Sequence, residues 1–167
     1  MTDFIYAIIA AVVLQRLGEV AYAARNTRAL KAQGGIETGA SHYPLMVALH
    51  AGWLIAIVVA LPSPPQFNAA TFAIFLAMQM LRFWVLKTLG PYWTTRIISV
   101  PDAPLIRTGP YRYVRHPNYI IVAIEIATLP LSFGEWRVAV AFSILNALML
   151  AWRIHVEETA ISSRPSL

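Results

Sequence analysis

Cysteine is absent, which excludes disulfides, thiolate zinc sites and cysteine nucleophiles. Charge is scarce as well. Asp, Glu, Lys and Arg make up 13% of the 167 residues, against roughly a quarter in a soluble domain. So few charges cannot coat a globule in water, but they suffice for short loops between helices immersed in lipid. There is no Lys/Arg-rich tract, nucleic-acid motif, internal repeat or low-complexity stretch, so no nucleic-acid partner is expected despite a net charge of +5. The opening MTDFIYAIIAAVVLQRL lacks the basic region and small-residue cleavage site of a secretory signal, and reads as a retained first helix. His42 and His50 have no metal-ligand spacing with each other or with His116, so no metal is expected and both read as interfacial or helix-packing residues.

What the chain does have is apolar length: 58% of it is hydrophobic and the mean hydropathy is +0.60. Five apolar stretches stand out, at residues 3–24, 44–61, 67–87, 117–133 and 136–154. Each approaches the ~20 residues needed to cross a ~30 Å hydrocarbon layer, the fourth being short and interrupted by Pro130. The pattern predicts an all-α integral membrane bundle of about five transmembrane helices, forming one membrane domain over residues 1–167. The tight Phe133-Gly134-Glu135 link makes the last two helices an antiparallel hairpin. With the N-terminus outside, Arg25, Arg28, Lys31, Lys87, Arg96, Arg107, Arg112, Arg115, Arg153 and Arg164 all fall on one side, against Arg137 on the other. Such a bias predicts that the basic loops, the C-terminus and the functional site are cytoplasmic.

The connection 88–116 is the long one. It is rich in Gly and Pro (Gly90, Pro91, Pro101, Pro104, Gly109, Pro110) and in aromatic residues (Tyr92, Trp93, Tyr111, Tyr113). Helix breakers mixed with aromatics that favour the headgroup boundary predict a cap against the cytoplasmic mouth of the bundle. It ends in Gly109-Pro110-Tyr111-Arg112-Tyr113-Val114-Arg115-His116-Pro117-Asn118-Tyr119. Pro117 suits a first helical turn, which sets His116 at the helix entrance beside free backbone N–H groups. Arg115, His116 and those donors could hold an anion, or they could simply anchor a helix end at the interface.

A second cluster, Arg153-Ile154-His155-Val156-Glu157-Glu158, closes the fifth helix. Asn146, Arg153 and Glu157 share a helix face there. The carboxylates could grip an amino group or ribose hydroxyls, or Arg153 and Glu157 could form an i,i+4 pair. Ionisable residues deeper in the apolar spans carry more weight, because a charge in hydrocarbon costs about 2.5–3.5 kcal/mol even on the lenient insertion scale. Arg16 and Glu19 share a face of the first helix, Gln79 and Arg82 of the third, and Asn118 and Glu125 of the fourth. They either pair, for example Arg82 with Glu125, or line a wet cavity, or both.

The string from Gly109 to Tyr119 resembles the isoprenylcysteine carboxyl methyltransferase family of membrane enzymes. Its pattern is a Gly, an aromatic residue and Arg-His-Pro-x-Tyr at a helix start, then a helical hairpin and a Glu-Glu pair. Here these are Arg115-His116-Pro117-Asn118-Tyr119 and Glu157-Glu158, and Leu89 to Arg96 is similar to the family's short bacterial members. The resemblance covers roughly residues 70–162. It implies S-adenosylmethionine as methyl donor, contacted by Arg115, His116 and Tyr119, with Glu157 or Glu158 holding its polar groups and Arg153 near the acceptor. The acceptor would be lipophilic, either an isoprenylcysteine-type carboxylate or a phenolic lipid, and membrane lipid the second partner. A phenol would need a base, for which His116 and Glu125 are the candidates. Two alternatives stand beside this: an NADPH-dependent reductase of the membrane sterol-reductase type, which has a similar His-Pro-x-Tyr segment, and a non-enzymatic bundle or small transporter.

Overall fold

The computed structural model describes residues 1–101, 103 and 106–162. Among them are five α-helices: α1 (Thr2–Ala32), α2 (Tyr43–Ala60), α3 (Ala69–Leu89), α4 (Pro117–Ser132) and α5 (Trp136–Ser162). Four of these, all but α4, are long and apolar enough to cross a bilayer. Leu14, Val59, Met80, Phe83, Ile144 and Leu148 are exposed on their outer faces. Apolar surface on that scale is a liability in water and the normal state in lipid. The protein is an integral membrane protein.

The inner faces follow from spacing. On α1, Ile5, Ile9, Val12, Arg16, Glu19, Ala23, Asn26 and Leu30 recur every three or four residues, the interval that keeps side chains on one stripe of a helix. The apolar part of that stripe joins Trp53 and Ile57 of α2, Phe75 of α3, Ile126 and Leu129 of α4, and Phe133 and Val138 in one buried core. A smaller cluster of Ala23, Val85, Trp93 and Ile121 lies nearer the other end. Arg16 and Glu19 of the stripe fall between the two.

α4 has 16 residues, about 24 Å at 1.5 Å per residue, which is short for a ~30 Å core. It is packed between α3 and α5 and is buried along much of its length, including Ile121, Glu125, Ile126, Leu129 and Ser132. A helix sheathed by protein does not have to match the lipid by itself. Pro130 leaves the Ile126 carbonyl without its usual helical donor, and Trp53 Nε1 donates to that carbonyl at 3.2 Å. The hydroxyls of Thr128 and Ser132 donate to the carbonyls of Ile124 and Thr128. This satisfies backbone groups that hydrocarbon could not.

Helix ends differ from the predicted spans where side chains rather than hydropathy decide. α1 runs eight residues past the predicted end at residue 24, because buried Asn26 donates to the carbonyls of Gly90 and Trp93 at 3.0 and 2.9 Å. α5 likewise runs from Trp136 to Ser162 rather than stopping at 154. The cap also contributes one strand of a short antiparallel ribbon that an all-helical reading omits: β1 (Ile36–Thr38), from the α1–α2 connection, against β2 (Ile97–Ser99), with Glu37 opposite Ile98. Glu37 clamps the ribbon by ion pairs with Lys31 and Arg96. Burial pushes its carboxyl up, but hydrogen bonds and charge from Lys31 and Arg96 outweigh that and hold it below the ordinary value. Pro104, placed in the cap from sequence, and Arg164, counted among the basic residues, lie outside the described residues.

Candidate functional site

A cavity of about 600 Å³ opens between the helices beneath the cap, within the range of about 300–1,000 Å³ typical of small-molecule sites. Its outer part draws on three separate segments. From the start of α4 come Arg115, His116 and Tyr119, from the end of α5 Arg153 and Glu157, and from the cap Trp93, Thr95 and Tyr111. Gly109 lets the cap approach closely. Its φ is +55°, and a Cβ there would lie 2.5 Å from Thr88 Oγ1. A side chain would push the 109–119 string off the end of α3.

At this mouth the rings of His116 and Tyr119 stack with centroids 5.2 Å apart. The Tyr119 hydroxyl donates to Glu157 Oε2 at 2.8 Å, and His116 Nδ1 stands 3.7 Å from the same oxygen. Glu157 therefore joins the beginning of α4 to the end of α5. Arg153 does not form an i,i+4 ion pair with Glu157. It is buried, 5.9 Å from the Tyr119 ring centroid, and donates to the Thr95 carbonyl at 3.2 Å and to Met46 Sδ at 2.9 Å. All these contacts of the guanidinium are uncharged, and its Nε has no hydrogen-bond partner among the described residues. Burial, and after it the Glu157 and Tyr119 side chains, push the Tyr111 hydroxyl above its ordinary range, so it stays a proton donor. Arg115 is exposed on the rim, and Glu158 is exposed and absent from the cavity wall.

The inner part of the cavity carries the ionisable groups of the spans. Glu125, 2% exposed, accepts from Arg82 Nε, Arg16 Nη2 and Gln79 Nε2, each at 2.9 Å, and from Arg82 Nη2. Glu19 pairs with Arg16 and Arg82 at 2.8 and 3.3 Å. Gln15 bridges Glu19 and Gln79, and Asn118 accepts from Arg82. Pairing and cavity lining therefore coincide, since Arg16, Glu19, Arg82, Asn118 and Glu125 all reach the wall. Four donors occupy the lone pairs of the two Glu125 oxygens and hold α1, α3 and α4 together.

Two groups on this wall were not read from sequence as site residues. Trp93 has a buried Nε1–H with no hydrogen-bond partner. His50, half-buried on α2, lines the cavity and is not merely a packing residue. The signal for His50 was available, since an ionisable side chain inside an otherwise apolar span marks a site by default. His42 does pack: it is buried against Trp152, with ring centroids 5.6 Å apart.

The mouth offers groups for a polar ligand that carries amino, hydroxyl and carboxylate groups beside an aromatic ring. Glu157 is an acceptor for amino or ribose hydroxyl groups, and Arg115 with the α4 entrance can hold a carboxylate. Tyr111, Tyr119 and Trp93 offer aromatic faces for adenine. Buried Trp93 Nε1 and Arg153 Nε, both without partners, are donors in want of an acceptor.

Comparison with known proteins identifies the family. The model of the isoprenylcysteine carboxyl methyltransferase (ICMT) family matches residues 70–163. The chain is 36% identical to the uncharacterized protein YpbQ of Bacillus subtilis (strain 168) over 158 residues, 92% of this chain and 94% of the relative. It is 30% identical over 164 residues to an uncharacterized protein of Haemophilus influenzae, covering 95% of each. No solved structure matches. The matched segment takes in nearly all of α3, the cap, α4 and the whole of α5, and therefore both halves of the mouth. The chain belongs to the isoprenylcysteine carboxyl methyltransferase family of membrane proteins.

Proposed function

We propose that the protein is an S-adenosylmethionine-dependent O-methyltransferase that acts on a lipophilic acceptor at the cytoplasmic face of the membrane, as one membrane domain with its N-terminus outside. The observation that carries the reading is the convergence of His116, Tyr119 and Glu157, from motifs nearly forty residues apart, at one cavity mouth, where Tyr119 donates to Glu157 and His116 stacks on Tyr119 beside the same carboxylate. Nine described basic residues lie in the loops and helix ends around that mouth, which supports a cytoplasmic mouth by the positive-inside rule.

Arg115, His116, Tyr119 and Glu157 hold the donor in this reading, and exposed Glu158 serves only the surface. When bound, S-adenosylmethionine supplies a methyl group already activated on a sulfonium. The chain's own residues then have three tasks. The cap and the aromatic wall exclude water, the stacked His116–Tyr119 pair orients the donor, and Arg153 lies where negative charge on an acceptor oxygen needs stabilising. The acceptor, an isoprenylcysteine-type carboxylate or a phenolic lipid, reaches the cavity from the lipid, where Val13, Leu17, Val20 and Val47 form an apolar flank.

The test is calorimetric titration of the detergent-purified protein with S-adenosylmethionine and, separately, NADPH. Saturable binding of the methyl donor, lost in His116→Ala, is the expected result. Binding of NADPH instead, or no donor binding by folded protein, overturns the reading.

A further inference from the structure

We propose that His50 is the catalytic base for a hydroxyl-bearing acceptor, taking the hydroxyl proton on its Nε2. This assignment rests on the methyltransferase reading above.

The ring's tautomer is fixed by its own helix. Nδ1 lies 2.9 Å from the Met46 carbonyl oxygen, and a carbonyl can only accept, so Nδ1 carries the hydrogen. Nε2 is then the bare, basic nitrogen. No hydrogen bond to it is made by the described residues, and His50 lies on the cavity wall. Pinning one ring nitrogen by a hydrogen bond presents the other in a single orientation, as a histidine base requires.

His50 also sits at the depth the acceptor needs. Met46, one turn away on α2 (about 5.4 Å), touches the Arg153 guanidinium through its sulfur, so His50 lies about a turn below Arg153 on the wall. An acceptor oxygen between them has a cation on the mouth side and a proton acceptor on the inner side. The other candidates do not offer this. Glu125 is saturated by four donors, and His116 stacks on Tyr119 beside Glu157 at the mouth.

The proton step is self-contained. The acceptor O–H bond breaks with its electron pair left on oxygen, and the proton bonds to Nε2, giving an imidazolium. The freed pair makes the oxygen the nucleophile toward the methyl donor, and the imidazolium later returns its proton to water. Charged groups on the same wall come from each packed helix: Arg16 and Glu19 on α1, Arg82 on α3, Glu125 on α4 and Arg153 on α5. Arg16, Arg82 and Glu125 are close enough to act on His50 electrostatically.

The experiment compares wild type with His50→Asn and His50→Gln in detergent. Asn retains a donor that can reach the Met46 carbonyl but has no basic nitrogen, so His50→Asn separates proton transfer from helix packing. In the first arm, donor-free protein is mixed with a long-chain nitrophenol, at a pH where the free probe is mostly protonated. Wild type is expected to develop the absorption band of the bound phenolate, and both variants to lose it. In the second arm, methylation of a long-chain phenol is expected to fall by a factor on the order of 10²–10⁴, the usual worth of a general base. Methylation of a long-chain carboxylate, which has no proton to remove, and the affinity for S-adenosylmethionine should both stay within about threefold. Variants that keep the phenolate band and phenol methylation overturn the assignment. Wild type that shows the His50-dependent band but binds no S-adenosylmethionine would keep His50 as the base and overturn only the methyltransferase reading.

Discussion

The two polar clusters of the cavity are built from the same residue types and behave in opposite ways. In the inner cluster, Arg16, Glu19, Arg82 and Glu125 pair with one another, with Gln15, Gln79 and Asn118 beside them, and of their polar atoms Arg16 Nε alone stays buried without a partner among the described residues. At the mouth, Arg153 has only uncharged contacts, its Nε and that of Trp93 are without partners, and Glu157 is held at one oxygen by Tyr119 and His116. A closed network holds helices together; an open one has capacity left for a ligand. What separates structure from site is thus whether the hydrogen bonds close within the protein.

The sharpest way to break that contrast is to open the inner cluster. Removing one partner of a buried ion pair strands the other, at a cost of about 3–5 kcal/mol. Glu125→Ala should therefore lower the melting temperature strongly or abolish the monodisperse peak in detergent, and Arg82→Ala should do the same. A variant that stays folded and loses only activity would move Glu125 back into the chemistry.

At the mouth the expected effect is on ligands instead of the fold. Glu157→Gln should weaken S-adenosylmethionine by about tenfold or more, roughly 1.4 kcal/mol, with little change in melting temperature, as read by calorimetry and thermal unfolding together. Arg153→Lys keeps the charge but loses the fixed fork geometry. It should lower kcat by about tenfold or more while leaving donor affinity nearly unchanged, seen by comparing turnover with direct binding.

A smaller effect is expected at the far end of the α4–α5 hairpin. Both carboxyl oxygens of Glu135 are buried without hydrogen-bond partners, and burial pushes the group up to about 7. The folded state thus holds its proton where the unfolded chain, titrating near the ordinary value of 4.5, releases it. Stability from this group is present below about 4.5 and declines as pH rises toward about 7. Glu135→Gln should flatten that decline in thermal-unfolding curves, and an unchanged curve would exclude Glu135 as its source. The smallest effect is assigned to exposed Glu158, where Gln should alter donor affinity by less than about 0.5 kcal/mol, as for other surface changes.

Much of this was legible in the residues. The apolar lengths pointed to the helices, and Pro117 at a first turn located the entrance of α4, with His116 immediately before it. The face arithmetic that put Arg16 with Glu19, and Gln79 with Arg82, needed only 3.6 residues per turn. Other features were out of reach. Nothing in the sequence of α2 says that His50 Nδ1 turns back to the Met46 carbonyl, or that the ribbon 36–38 pairs with 97–99 across two intervening helices. The lengths of α1 and α5 likewise depend on what their last turns touch.

By itself, then, the sequence determined the solvent this protein lives in, the helices it folds into and the motifs that mark its family, because hydropathy and helical period are properties of local segments. The tertiary structure decided which charges are spent on one another and which remain free. It separated Glu157 from Glu158, closed Glu125 within a network and turned His50 toward the cavity. The physical reason is that a hydrogen bond's partner is set by distance in space, and among packed helices the nearest partner can be more than a hundred residues away along the chain, as Glu125 is from Arg16.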